Sequence, residues 1–394
     1  MRILFFVHRY WPAVGGVEKY IHQLSRALLA KGHVVDVIAG ATEAATVANR
    51  EDNLGETEIH EGVVIRRFPA LRSPLRARWW LLRHLGLFRR ADVIHVSNTH
   101  MLEYLARMLG PLVDRRKTFL TRHGLSYRYP VPPWEKRRAV RALKLAAAVV
   151  HDGAFIEKWL EVAPDLAPDQ GLSPSAEELV PVPEPPPGSA VFIGRLEPDS
   201  GIGIYLDAVK ILTQTFHRSF FLHVYGDGSL AASLREQAAS ESLPVRFYGR
   251  THDAQRHIAE SCFAFIDGRM AIQEAMARRR LVFAAYVDPL KRDYVGTESF
   301  SPYLIPVGSG EQLAERVAYF ADRPQERSER VERAYRHAQT LTWERTAEAY
   351  LKLWRETLEQ SRLPCSRREL WRLVLTLHRE VNRPKSCWAG GTGF

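Results

Sequence analysis

The chain has 394 residues, 46% of them apolar and 25% charged, with a formal net charge of +10. That composition excludes a disordered or fibrous chain, and the length suggests two domains of ordinary size rather than one. The positive excess calls for an anionic partner, which can be nucleic acid, a membrane surface or a phosphorylated ligand.

Residues 3–7 form a short apolar run rich in β formers, as expected of a buried parallel strand. His8 and Arg9 end it at once, so the N-terminus reads as a first strand and not a signal peptide. A loop with Pro12, Gly15 and Gly16 follows. Val17, Ile21, Leu24 and Leu28 then recur at helical spacing, Lys31-Gly32 stops the helix, and residues 34–38 give the next strand. This strand, glycine loop, helix, strand unit begins a doubly wound sheet. Residues 63–67, 93–96, 118–121 and 146–150 are predicted as further strands.

Between the strands near 67 and 93 lies R-S-P-L-R-A-R-W-W-L-L-R-H-L-G-L-F-R-R. Arg76, Arg78, Trp79, Trp80 and Arg83 suit an anionic membrane interface, while a helix with core tryptophans and solvated arginines explains the pattern nearly as well. Nothing resembles a nucleic-acid module. Residues 164–188 are proline-dense, ending V-P-V-P-E-P-P-P-G, and read as a stiff interdomain linker.

The pattern restarts after the linker. Strands are predicted at 191–194, 220–225, 245–248, 263–266 and 281–285, and helices at 202–213, 230–239 and 272–278. Such alternation favours a parallel sheet with helices on both faces. The expected organisation is a domain over 1–163, the linker 164–188, a second domain over 189–341, a crossing helix over 342–361 and a basic amphipathic tail over 362–394. Thr342 caps the crossing helix, and Ser366 with Glu369 forms a capping box in the tail. No window is apolar for long enough to span a membrane. Cys262, Cys365 and Cys387 are odd in number and widely spaced, which argues against a disulfide scaffold or a zinc site and fits a reducing cytosol.

Several residues can carry chemistry. Gly15-Gly16 joins a strand to a helix N-terminus, where free N–H groups and the helix dipole attract phosphate; a plain tight turn is the competing reading. Arg195 follows a strand and Gly194, so its guanidinium can grip a diphosphate, or else pair with Glu197 or Asp199. Gly226-Asp227-Gly228 ends a strand and reads first as a turn. Glu274 enters a helix after Gly268, where it can accept ribose hydroxyls or simply stabilise the terminus. His123 sits at a strand end before Gly124, at an expected cleft, and can act as acid, base or substrate ligand.

These segments together carry a resemblance. G-G-V-E-K-Y-I-H from Gly15, D-V-I-H from Asp92, H-G-L-S from His123, G-R-L from Gly194, G-D-G-S-L from Gly226 and E-A-M-A from Glu274 occur in order. Over roughly residues 1–360 the chain resembles the family-4 type of retaining glycosyltransferases with the GT-B fold. The resemblance implies two Rossmann-like α/β domains facing across a cleft, a UDP- or GDP-sugar donor in the C-terminal half, and a glycan or lipid-linked acceptor in the N-terminal half. It implies no metal cofactor. Arg195, Gly15 and Gly16 would hold the donor diphosphate, Glu274 the ribose, and His123 would lie near the transferred sugar. Gly194, Gly226, Asp227, Gly249, Arg250, Gly268, Arg269, Ile272 and Gln273 would line the donor pocket. Such a protein would work in the cytoplasm at the inner membrane face.

The sequence departs from the pattern in places. Ser200 stands where G-R-L-x-x-x-K-G has its phosphate-gripping lysine, with Arg250 and Arg269 as candidate replacements. Glu274 is the second member of an E-x7-E pair whose first position is Ile266, with Asp267 one place away. His151 replaces a common serine, and the usual N-G-V-D linker motif is absent. These departures keep two other readings open: an inactive GT-B protein that binds a nucleotide, glycan or partner, and a nucleotide-sugar epimerase.

Overall fold

Seven segments built mostly from Val, Ile, Phe and Ala assemble the first sheet: β1 (Arg2–Val7), β2 (Val34–Gly40), β3 (Thr57–His60), β4 (Val63–Phe68), β5 (Val93–Ser97), β6 (Thr118–Arg122) and β7 (Ala148–His151). The order is β3-β4-β2-β1-β5-β6-β7, parallel throughout except for β3 against β4. In this computed structural model the described residues are 1–13, 15–40, 56–69, 73–125, 129–174, 179–180, 182–183, 185–251 and 253–360. The expected amphipathic tail lies outside them.

A second sheet is formed by β8 (Ser189–Ile193), β9 (Phe221–Tyr225), β10 (Val245–Gly249), β11 (Phe263–Phe265), β12 (Leu281–Ala285) and β13 (Ile305–Val307). Its order is β10-β9-β8-β11-β12-β13, all parallel. Two strands were not predicted. β3 alternates exposed and half-buried residues on a sheet edge, so it lacks an apolar run, and β13 is three residues long with an exposed proline at its centre. Helices cover both faces of each sheet, which is why the inner strands read as unbroken apolar runs.

In each sheet the strand order reverses beside the first strand of its domain, between β1 and β5 and between β8 and β11. Ligands of open α/β sheets bind at the carboxyl ends of strands at such a switch point. The Gly15-Gly16 loop follows β1 and the Gly194-Arg195 turn follows β8, so the topology puts both anion-binding candidates at switch points.

The helix Trp343–Gln360 crosses back to the first domain. The Thr342 hydroxyl accepts from the Arg345 N–H at 3.3 Å, as a cap should. Trp343, Ala347, Tyr350, Leu351 and Trp354 are buried together with Phe5, Leu24, Leu28 and Val37 of the first domain. The Tyr350 hydroxyl lies 3.0 Å from that of Tyr20 and 2.9 Å from Thr121 Oγ1, so the apolar seam also carries a satisfied polar network. Trp354 has no solvent exposure. Trp354→Ala should therefore destabilise the fold by about 3–5 kcal/mol. Urea unfolding checks this, and a loss below about 1 kcal/mol would contradict the packing described.

Candidate functional site

Backbone crowding shapes the donor-side loops. A Cβ at Gly226 (φ 158°) would fall 1.9 Å from the Gly194 carbonyl oxygen. One at Gly228 would fall 2.4 Å from the Leu196 oxygen, and one at Gly201 (φ 70°) would fall 2.6 Å from Ala285 Cβ. The loops after β8 and β9 thus nest backbone against backbone, and only glycine permits it. Asp227 caps its own turn by accepting from the Gly228 N–H at 2.9 Å. Its other oxygen lies 3.5 Å from Arg250 Nε, just beyond Gly249, where Arg250 is mostly exposed.

Across the cleft, the helix Gly16–Ala30 points its N-terminus at the second domain. A Cβ at Gly16 would stand 3.8 Å from Met270 Sδ, so this helix and the helix Arg269–Ala277 meet near their first turns. At Gly15 a side chain would collide with the Glu18 carboxylate, which folds back and pairs with Arg9 at 3.1 Å. Lys19 reaches over and donates to Glu274 Oε1 at 2.6 Å. The ion pair borders a narrow crevice lined by Gln170, Gly171, Met270 and Trp343 among others. Within the helix Arg269–Ala277, Ile272 and Gln273 are fully buried. The Ile272 N–H donates to the Gly268 carbonyl at 2.9 Å, and both polar side-chain atoms of Gln273 are buried without a hydrogen-bond partner among the described residues.

Deeper in, a buried charge network joins the domains. His123 Nδ1 lies 3.1 Å from Asp152 Oδ2, and Asp152 Oδ1 lies 3.8 Å from Arg269 Nε. Arg269 also donates to Glu298 and sits over the Phe300 ring. Burial alone would raise the Asp152 carboxyl, but the Arg269 charge and the His123 contact outweigh it and hold it below the usual range. Burial works against the Arg269 charge, and the Asp152 and Glu298 carboxylates reverse this and raise it. Arg269 is thus an interdomain anchor. His123 Nε2 is buried and unpartnered among the described residues. Tyr20 stands edge-on to its ring at 5.0 Å.

Arg195 is half exposed, with Nη2 2.7 Å from Asp199 Oδ2. Ser200 turns inward, its hydroxyl donating to the Glu197 carbonyl at 2.7 Å. Ile266 is buried in the core of the second domain. Asp267, one place on, is buried and accepts from Lys291 Nζ at 2.6 Å. Lys291 carries no recognisable motif, although Asp288-Pro289 is a legible helix start and Asp288 accepts from the Lys291 N–H at 2.8 Å.

The 72–90 stretch forms the helices Pro74–Arg83 and Leu85–Arg90. Trp80 is buried and donates to Glu56 at 3.0 Å, so it belongs to the core and is withdrawn as a membrane contact. Leu75, Trp79 and Leu82 are exposed on the other face, at 82%, 59% and 40%, among Arg76, Arg78 and Arg83. Among the described residues, His22, His60 and Glu61 bring three metal-ligating side chains together. Arg26 already donates its charge to that Glu61 oxygen at 3.0 Å.

Two fully buried histidines, His95 within β5 and His151 at the end of β7, predict a pH dependence. Burial lowers His95 to about 3. Burial with the neighbouring Arg122 lowers His151 to about 3. Both stay neutral in the fold while the unfolded chain protonates near 6.5. Stability is therefore fully present above pH 6.5 and is lost as pH falls toward 4, by up to about 1.4 kcal/mol per histidine per pH unit. Urea unfolding at pH 7.5 and 5.0 should show the loss, and equal stabilities would refute it.

Comparisons with known proteins agree with this geometry. Residues 14–161 match Glycosyltransferase Family 4 and residues 187–323 match Glycosyl transferases group 1. Over 335 residues the chain is 25% identical to the phosphatidyl-myo-inositol mannosyltransferase of Mycobacterium tuberculosis, covering 77% of this chain and 82% of that one. The Mycobacterium leprae protein of the same name is 27% identical over 335 residues, covering 77% and 83%. Among solved structures, sucrose-phosphate synthase from Thermosynechococcus elongatus gives a TM-score of 0.69 at 16% identity, covering 92% of this chain and all of that one. Anabaena Alr3699/HepE in complex with UDP gives 0.68 at 16% identity, covering 91% and 100%. The first matched segment carries the first sheet apart from β1, the second carries the whole of the second sheet, and the chain belongs to the family-4 glycosyltransferases with the GT-B fold.

Proposed function

We propose that this glycosyltransferase moves a hexosyl group from a UDP- or GDP-sugar to a lipid-linked acceptor, with retention of anomeric configuration and without a metal. The observation that carries the reading is the meeting of three ligand types at one cleft. Arg195 sits at the β8 switch point of the second domain, the N-terminus of the helix Gly16–Ala30 in the first domain meets the first turn of the helix Arg269–Ala277, and Glu274 of that second helix pairs with Lys19. A cation and a helix N-terminus suit a diphosphate, and a buried carboxylate suits ribose hydroxyls. The Lys19–Glu274 pair must open for that carboxylate to take a ribose.

The chemistry follows from where charge develops. As the anomeric C–O bond breaks, its electron pair goes to the departing diphosphate, and fixed cations aimed there supply the largest expected catalytic contribution. The acceptor oxygen bonds to the anomeric carbon on the face that the diphosphate leaves. The acceptor proton passes to a departing phosphate oxygen. With Nδ1 held by Asp152, His123 Nε2 can receive a hydroxyl of the transferred sugar. Arg195 and the helix dipole take the place a metal ion would have beside the diphosphate.

A lipid acceptor is favoured by two things. The relatives at 25–27% identity are named for mannosyl transfer and phosphatidyl-myo-inositol. The exposed Leu75, Trp79 and Leu82 stripe among arginines matches an interfacial helix. Solved neighbours hold UDP or UDP-glucose, which favours a uridine donor.

A thermal-shift panel of UDP, GDP, ADP and their sugars should raise Tm with at least one of the first two, and no shift with any nucleotide sinks the reading. Release of free nucleotide from the matching sugar should fall tens-fold in Arg195→Ala. Binding without release under any acceptor would support the inactive reading, and solvent deuterium at sugar C2 the epimerase. In liposome flotation, wild type should rise with anionic vesicles and a Leu75→Ser/Trp79→Ser variant should not. Equal flotation of both removes the membrane role of this helix.

A further inference from the structure

We infer that Lys291 supplies the second diphosphate-binding cation of the donor site, from a different element than the turn that carries Ser200. The inference rests on the nucleotide-sugar reading above and deepens it. Lys291 lies on the helix Pro289–Gly296, which follows β12, the strand beside β11 at the carboxyl edge of the second sheet. Its ammonium is almost wholly buried, 2.6 Å from Asp267 Oδ2 and 3.9 Å from Asp199 Oδ2. That same Asp199 oxygen receives Arg195 Nη2 at 2.7 Å. The two cationic nitrogens are therefore no farther apart than the sum of those two distances, a span that oxygens of one diphosphate can bridge.

The surroundings support a ligand role as well as a structural one. A lysine is seldom buried without anionic company, and Asp267 alone would neutralise it. Asp199 is the extra carboxylate, and it is shared with a half-exposed arginine at the switch point. In that position Asp199 acts as an internal stand-in for an anion, holding both cations in place and competing with an incoming diphosphate. Asp267 belongs to the same turn, since its Oδ1 would lie 3.6 Å from a Cβ at Gly194. Tyr294 places its ring 4.7 Å from the Lys291 ammonium and fixes the direction of approach. Ser200, by contrast, has its hydroxyl tied to the Glu197 carbonyl and is itself buried.

The experiment measures the affinity of the full chain for UDP and GDP, each beside its nucleoside. The variant is Lys291→Met/Asp267→Asn, which removes both charges and so leaves no lone buried carboxylate. It should bind the preferred diphosphate at least about tenfold more weakly, with nucleoside affinity unchanged and its thermal unfolding still cooperative. Ser200→Lys added to that variant should restore most of the loss. Asp199→Asn should tighten diphosphate binding in the wild-type background, where it releases both Arg195 and Lys291, and by clearly less in the double variant, where only Arg195 is released; an equal gain in both backgrounds counts against Lys291. If the double variant binds diphosphate within twofold of wild type, or loses diphosphate and nucleoside affinity in parallel, the assignment of Lys291 falls and the proposed function stands. If wild type binds neither diphosphate, both fall together.

Discussion

The arrangement of the cleft depends on a buried arginine. Arg269 opens the helix Arg269–Ala277 in the second domain, yet one of its two carboxylate partners, Asp152, belongs to the first. A guanidinium buried to this depth is tolerated only with close anionic partners, and removing one partner of such a set typically costs about 3–5 kcal/mol. Three consequences follow from satisfying that charge. The domains are held at a separation that lets Asp152 and Glu298 reach it together. The first turn of this helix, with Glu274 one turn further on, is brought against the N-terminus of the helix Gly16–Ala30. Asp152, held as a carboxylate, also orients His123. Smaller contacts follow the same interface, including Trp159 to Asp293 at 3.0 Å and Phe155 against Tyr294.

Much of the fold was legible because parallel sheets covered on both faces make their inner strands continuously apolar. β1, β2, β8, β11 and β12 announce themselves in this way. β3 and β13 do not, since an edge strand with one wet face, or one of three residues, leaves little periodicity to read. The glycines were legible as turns, but their reason was not. Gly226 and Gly228 are required because two loops from different strands touch backbone to backbone, and a distance between loops far apart in sequence has no local signature. The two tryptophans at 79 and 80 show the same limit from another side. Adjacent residues on a helix point about 100° apart, so one is core and one is surface, and only the packing of Ala77, Trp80 and Leu81 reveals which.

Within the site, motif positions and charge positions separated. Arg195 follows β8 and pairs with Asp199, His123 follows β6 and pairs with Asp152, and Glu274 pairs with Lys19 across the domains. Of Arg250 and Arg269, the sequence-based candidates for the missing cation, one is mostly exposed beside Asp227 and the other is enclosed by carboxylates of both domains. Lys291 was not visible because electrostatic function does not require a particular strand. A cation acts through its position, and a side chain from a helix after β12 can reach the β8 turn because β8 and β12 both neighbour β11.

The same reasoning explains why a carboxylate at 267 is required in this fold. A lysine buried at 291 carries a desolvation cost that a side chain at 266, inside the apolar core, cannot relieve. A carboxylate at Asp267, just past the end of β11 and facing the turn, relieves it at 2.6 Å. Along a strand end, one residue also reverses the face on which a side chain emerges, so Asp267 meets Lys291 where a side chain at 266 is held in the core. Asp267 and Lys291 are therefore a coupled pair, each supplying the charge that burial of the other requires.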